Sequence, residues 1–313
     1  MKQIQFGPLY VAIEEYIGPV ELAEKAEAWG YDSYWVPDYV TLPPMNAFTI
    51  LAAVSQRTRN IRLGTAVVVM PFWSPFQLAK AALSVDVLSN GRFTLGVGIG
   101  GAAPKDFEVT GVDIHLRGRI SDERLEIVRR LFTESNVSHQ GRFHRFANLT
   151  MRPSSVQKPH IPIWVGAIWN NGIAEGVLRR VARYGDGFFP TDTPLNDYKK
   201  AQEKIRKYAL SYGRDPNAIQ WGLLLWACLG DNKEQARRTA SVELEKRFGA
   251  PWNVQPENGY ALGTPKDCID TIEQYVELGL TNFVIDPCCA PADMLGQFEV
   301  FAKEVIPQFR RSD

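Results

Sequence analysis

The sequence predicts an α/β protein in which eight strand–helix units close into a (β/α)8 TIM barrel. Three observations carry that expectation. The passages AWGYDSYWVPD (28–38), RYGDGFFPTD (183–192) and ELGLTNFVID (277–286) repeat one design. In each, a helical pattern stops at a glycine (Gly30, Gly185, Gly279), a short aromatic or β-branched strand follows, and an Asp closes it. Glycine just past a helix end enters left-handed backbone at the least steric cost. Second, strand candidates at 4–9, 61–69, 93–97, 163–165 and 220–228 bring the count to eight, with helical stretches between them. Such alternation implies a parallel sheet with helical crossovers. Third, no Gly/Ser linker or shift of composition divides the 313 residues, so 1–313 reads as one barrel domain, a length that such barrels reach routinely.

Along the chain, the best-patterned helix covers residues 120–132, where Leu125, Val128, Leu131 and Phe132 share one face and arginines and glutamates fill the rest. Two regions break the rhythm. Residues 136–162, after the fourth helix, are polar and contain prolines, which predicts a small hairpin. Residues 248–265, near the last unit, form a long aromatic-studded connection: a lid over the site or a plain surface excursion.

The totals exclude several classes. Lys+Arg and Asp+Glu are 35 each, so no global field attracts nucleic acid or an anionic membrane. No apolar run approaches the roughly 18 residues of a membrane span, and the N-terminus lacks the apolar core of a secretory signal. Cys228, Cys268, Cys288 and Cys289 form no C-x-x-C pair, and His115, His139, His144 and His160 show no ligand spacing. A cytoplasmic protein without a metal site is expected.

The stretch TLGVGIGGAAP contains G-x-G-x-x-G at Gly96, Gly98 and Gly101. A dinucleotide-binding turn needs a helix start at the last glycine and an acidic residue on a strand end about 20 residues on. Here Pro104 intervenes, and Asp122 sits in a helical pattern. In a barrel, Gly98, Gly100 and Gly101 fall instead at the carboxyl end of the fourth strand. There a missing Cβ serves either close approach of a ligand or tight rim packing.

Taken in order, GYDSYWVPD, IRLGTAVVVMP, DVLSNGRFTLGVGIG, QGRFHRF, VQKPHIPIWVG and ARYGDGFFP make the chain resemble the luciferase-like flavin and F420-dependent oxidoreductases along almost its whole length. The resemblance implies FMN or the deazaflavin F420, with the tricyclic ring across the carboxyl mouth of the barrel. It places a backbone bulge with a non-proline cis peptide at Ala66–Val67, behind the ring. It places a phosphate site at Gly166, Ala167, Ile168 and Asn170, ahead of a helix starting near Glu175, where amides and helix dipole favour an anion. Asp38 and Tyr39 match the position where F420-using members carry Asp-His, and are the catalytic candidates. The Tyr departs from that pattern: a phenol is a weak base at neutral pH. Gly101 stands where sugar-phosphate-oxidising members carry an acid. Trp73, Trp169, Trp226 and Trp252 are candidates for a substrate pocket.

The function implied is a monooxygenase using reduced FMN and O2 on a small organic substrate, with a separate reductase as partner and a homodimeric state. F420-dependent hydride transfer is the alternative, and a flavin-binding protein without catalysis is a third reading.

Overall fold

The computed structural model describes residues 3–11, 13–101, 103–169, 171–249, 251–252, 254–255 and 258–310. Its strands are β1 (Gln5–Pro8), β2 (Ser33–Asp38), β3 (Arg62–Val69), β4 (Phe93–Gly98), β5 (Val137–Gln140), β6 (Arg145–Leu149), β7 (Ile163–Val165), β8 (Gly187–Phe188), β9 (Gln220–Leu229), β10 (Tyr260–Gly263) and β11 (Asn282–Pro287). Eight of them follow one another around a barrel in the order β1, β2, β3, β4, β7, β8, β9, β11, all parallel. The seam between β1 and β2 closes through a bridge of Leu9 with Trp35, where the Tyr10 amide donates to the Trp35 carbonyl at 2.8 Å.

The helices are α1 (Pro19–Ala28), α2 (Ala47–Arg57), α3 (Pro75–Leu88), α4 (Pro104–Thr110), α5 (Arg117–Thr133), α6 (Glu175–Tyr184), α7 (Leu195–Ser211), α8 (Lys233–Phe248), α9 (Pro265–Glu277) and α10 (Met294–Val300). Local chemistry explains their starts. Asn46 and Asn232 cap α2 and α8 through their side chains, and Thr264 and Asp267 form a reciprocal capping box on α9. After α1 and α9, Gly30 and Gly279 take φ of 83° and 87°, as the repeated passages predict. Gly185 does not: its φ is −81°, and a Cβ there would sit 3.1 Å from the Val181 carbonyl oxygen. That glycine answers to space, not to handedness.

The barrel interior is a packed core. Trp35, Trp164 and Phe189 are nearly fully buried, with ring centroids 5.5 Å (Trp35–Phe189) and 5.6 Å (Trp164–Phe189) apart. Glycines on neighbouring strands make room for them. A Cβ at Gly64 would lie 2.3 Å from the Trp35 ring, and one at Gly187 2.3 Å from Trp164. Burying such rings is worth about 4–6 kcal/mol each on area bookkeeping. They form a floor beneath the mouth.

The two interruptions take definite shape. β5 and β6 make the hairpin expected within 136–162, its turn tied down by Glu123, which accepts from the amides of Arg142, Phe143 and His144. The second is larger than the 248–265 connection expected. Phe248 still belongs to α8, and residues 260–263 are the strand β10, which pairs with the far end of β9. The excursion therefore comprises α8, a connection and β10. No helix among the described residues is long and apolar enough to cross a membrane.

Candidate active site

The strand ends of β3, β4 and β7 build one wall of the mouth. β3 slips register against β2 and β4 along its second half, and the Ala66–Val67 peptide there is cis. The half-buried Val67 side chain lodges where two Cβ atoms are missing: one at Gly98 would approach it to 2.7 Å, one at Gly166 to 2.8 Å. Gly100, with φ 74°, is likewise crowded by Val69 at 2.7 Å and by Phe107. Of the two readings for Gly98 and Gly100, the structure shows the tight packing. They make room for Val67 and Val69, and Val67 is the group that a ring would meet. Gly101, with φ 138°, faces open space.

The turn after β7 is pinned on both sides. The Gly166 amide donates to the Val97 carbonyl at 2.9 Å, the Thr191 amide to Ala167 at 2.8 Å, and the Trp169 amide to Thr191 at 3.2 Å. No described residue accepts from the amides of Ala167 or Ile168, and the Ile168 side chain is exposed. Asn170 lies outside the described residues. α6 starts at Glu175 without a side-chain cap, and the Glu175 carboxylate is engaged by Lys204 and Tyr208. A fixed turn with unspent amides fits a phosphate ester, and the apolar Val67 face with open space at Gly101 fits a flat ring.

Next to that wall, Asp38 ends β2, paired with Val68 on β3, and is 7% exposed. It accepts from Trp73 Nε1 at 2.7 Å and Asn46 Nδ2 at 3.4 Å. Burial pushes its carboxyl above the ordinary range, and the Trp73 and Ala47 hydrogen bonds work against that rise. The Tyr39 phenol is pushed up to about 12, by burial first and by Asp286, with Arg247 opposing. At neutral pH Tyr39 keeps its proton, so it can donate a hydrogen bond but is no base. The loop carrying both is clamped by Asp106, which accepts from the Val40 and Thr41 amides at 3.1 and 2.9 Å. Nothing in the linear pattern singles out Asp106; its one sequence signal is an acid in the first turn of the helix behind the glycine-rich rim.

The tryptophans separate into three places. Trp73 bonds Asp38. Trp226 and Trp252 meet edge to face at 5.1 Å within an aromatic group that includes Phe248 and Tyr260. Trp169 stands apart, its indole donating to Asp197 at 2.8 Å. Trp252 Nε1 donates to the Tyr260 hydroxyl at 2.9 Å, and the Asp192 carboxyl is near enough to that phenol to raise its pKa. Beneath them Arg247 donates to both Asp286 oxygens, at 2.7 and 2.9 Å, and to the Pro287 carbonyl. Arg247, Asp192 and Tyr260 are absent from the sequence-based set. Cys288 and Cys289 are buried with raised pKa, as inert thiols are.

A family model described as luciferase-like monooxygenase matches residues 5–282. An F420-dependent glucose-6-phosphate dehydrogenase of Amycolatopsis mediterranei is 28% identical, over 96% of this chain and 98% of its own length. The oxygenase component of a flavin-dependent trigonelline monooxygenase from Acinetobacter baylyi is 34% identical over 47% of this chain and 42% of its own. Among solved structures, a monooxygenase from Streptomyces bottropensis superposes with a TM-score of 0.82 at 24% identity, covering 98% of this chain and all of that one.

Proposed function

Because the chain belongs to the luciferase-like monooxygenase family, we propose that it is a flavin-dependent monooxygenase acting on a small organic substrate with reduced FMN and O2. The observation that carries this reading is the wall at Val67: a flat apolar patch, backed by Gly98 and Gly166, above a floor of buried rings. When bound, reduced FMN supplies the two electrons that let O2 deliver one oxygen atom to the substrate.

The chain's own residues do the rest. Val67 and Ala66 support the ring, Gly100 and Gly101 shape the rim beside it, and the turn at Gly166, Ala167 and Ile168 holds the phosphate. Trp35, Trp164 and Phe189 keep water from reaching the ring from below. Tyr39 donates a hydrogen bond to an oxygen acquiring negative charge, and Asp38, its carboxyl raised by burial, holds or releases a proton beside it. Trp73 fixes the orientation of Asp38. The same reading makes the protein a cytoplasmic homodimer served by a separate reductase; the Acinetobacter relative is itself described as an oxygenase component.

Hydride transfer with F420 is the second reading, favoured by the end-to-end likeness to a dehydrogenase. Against its alcohol-oxidising form stands Tyr39, whose raised phenol is no base at neutral pH. Titrating reduced FMN and reduced F420 against tryptophan fluorescence, and following O2 uptake, separates the two. Tight binding of FMN with substrate-dependent O2 uptake is expected. Binding of F420 alone, without O2 uptake, overturns the monooxygenase reading.

A further inference from the structure

Charge at the substrate side of the mouth is one-sided. Asp38 and Asp192 have no Lys or Arg partner among the described residues, and their hydrogen bonds come from neutral groups. Of the cations near the mouth, Arg247, on the Tyr39 side, spends its donors on Asp286 and the Pro287 carbonyl, and Arg124 donates to the carbonyls of Met70, Pro71 and Trp73. A cation entering here meets carboxylates that have no ion-pair partner among the described residues. A second observation points to a ligand at the same place. Thr191 is 7% exposed, and its hydroxyl has no hydrogen-bond partner. Thr191, past the end of β8, bridges to Ile168 in the turn after β7, its amide donating to the Ala167 carbonyl at 2.8 Å. A buried hydroxyl left unpaired is costly unless something bound there completes it.

Tyr260 lies close enough to Asp192 for each to shift the other's proton affinity, and its ring packs at 5.2 Å on Trp226, which meets Trp252 at 5.1 Å. π-faces next to a carboxylate attract positively charged nitrogen.

We propose that the substrate is an organic cation, a positively charged nitrogen on a flat apolar body, seated between the Asp192 carboxylate and the Trp226–Trp252–Tyr260 rings, with the Thr191 hydroxyl as its hydrogen-bond partner. This rests on the reading of the mouth as the active site. The groups facing Asp192 are the phenols of Tyr260 and Tyr275 and the amide of Asn258. Burial pushes the Asp192 carboxyl up to about 6, so it is mostly charged at neutral pH, and capture of the cation weakens as pH falls through that value.

The test uses the full chain and two probes of similar size, benzyltrimethylammonium and benzoate, followed by tryptophan fluorescence at pH 7.5. The cation is expected to bind about tenfold or more tightly than benzoate, and to lose about tenfold in Asp192→Asn and in Trp252→Leu. Should either variant fail to fold by circular dichroism, the wild type decides alone: cation affinity falls about tenfold from pH 7.5 to 5 while benzoate affinity does not. Benzoate binding as tightly as the cation, no cation binding, or a folded Asp192→Asn that retains full cation affinity overturns the assignment. FMN titration of the wild type reports separately on the cofactor. Intact FMN binding with a preference for benzoate removes the cation assignment alone.

Discussion

Asp38 carries a carboxyl that burial holds above its ordinary range while Trp73 Nε1, at 2.7 Å, pulls the other way. Trp73→Phe removes the donor to the charged form, so the Asp38 carboxyl rises further. A hydrogen bond to a charged group is worth about 1.5–3 kcal/mol. The limb of the kcat/KM profile governed by Asp38 is therefore expected to move to higher pH, which a pH series on the variant measures. Asp192 gives a prediction of a different kind. Its folded carboxyl titrates at about 6, against an unfolded value of roughly 3.9. Between those values the folded state binds more protons than the unfolded one, so stability falls as pH rises through that window and stays lower above it. Asp192→Asn lacks the titration, and Asn tolerates the φ of 50° at this position. Urea denaturation is expected to show the variant more stable than wild type at pH 7.5, the difference closing by about pH 4. A site built for capture at the expense of stability behaves in this way.

At the scale of elements, β3, β4 and the turn after β7 act as one unit through Val67. Gly98→Ala drives a Cβ to 2.7 Å from Val67 Cγ2, an overpacking worth about 1–3 kcal/mol of stability. It is also expected to weaken FMN binding, and Gly98→Ala with Val67→Ala is expected to regain much of the stability though not the binding. Thermal melts and fluorescence titration of both variants check this. What could be read in the sequence divides along similar lines. The strands of the barrel were legible because aromatic and β-branched runs bounded by glycine and aspartate state their ends. β10 was not, since its four residues lie inside the 248–265 connection, and α8 before it is weakly patterned, burying only Ala236, Ala240 and Leu244. A stripe of small side chains leaves little periodic signal. Gly98 left both readings open because the residue filling the gap, Val67, lies 31 positions away. The Arg247–Asp286 pair and the Asp106 clamp span 39 and about 65 positions, and local pattern is blind to such contacts. Asp38 with Trp73 and Trp226 with Trp252 were picked out singly, and the fold joins them.

The whole molecule is held at its seam. Arg310 Nη1 donates to the Ile4 carbonyl at 2.8 Å, and Nη2 pairs with Asp32, whose carboxylate also accepts from the Phe6 amide on β1. Arg310 thereby fastens β1 beside β2, where an isolated bridge and the Asp32 amide donating to the Phe6 carbonyl at 2.8 Å join the two. Arg310→Ala is expected to cost about 1–3 kcal/mol in urea denaturation, with little change in FMN affinity, because the mouth lies at the other end of the strands. The buried rings of Trp35, Trp164 and Phe189 bear on the life of a bound complex. A vessel stoppered at its base has a single doorway. A flavin lying against Val67 would enter before the substrate and leave after the product, because those rings fill the space beneath it.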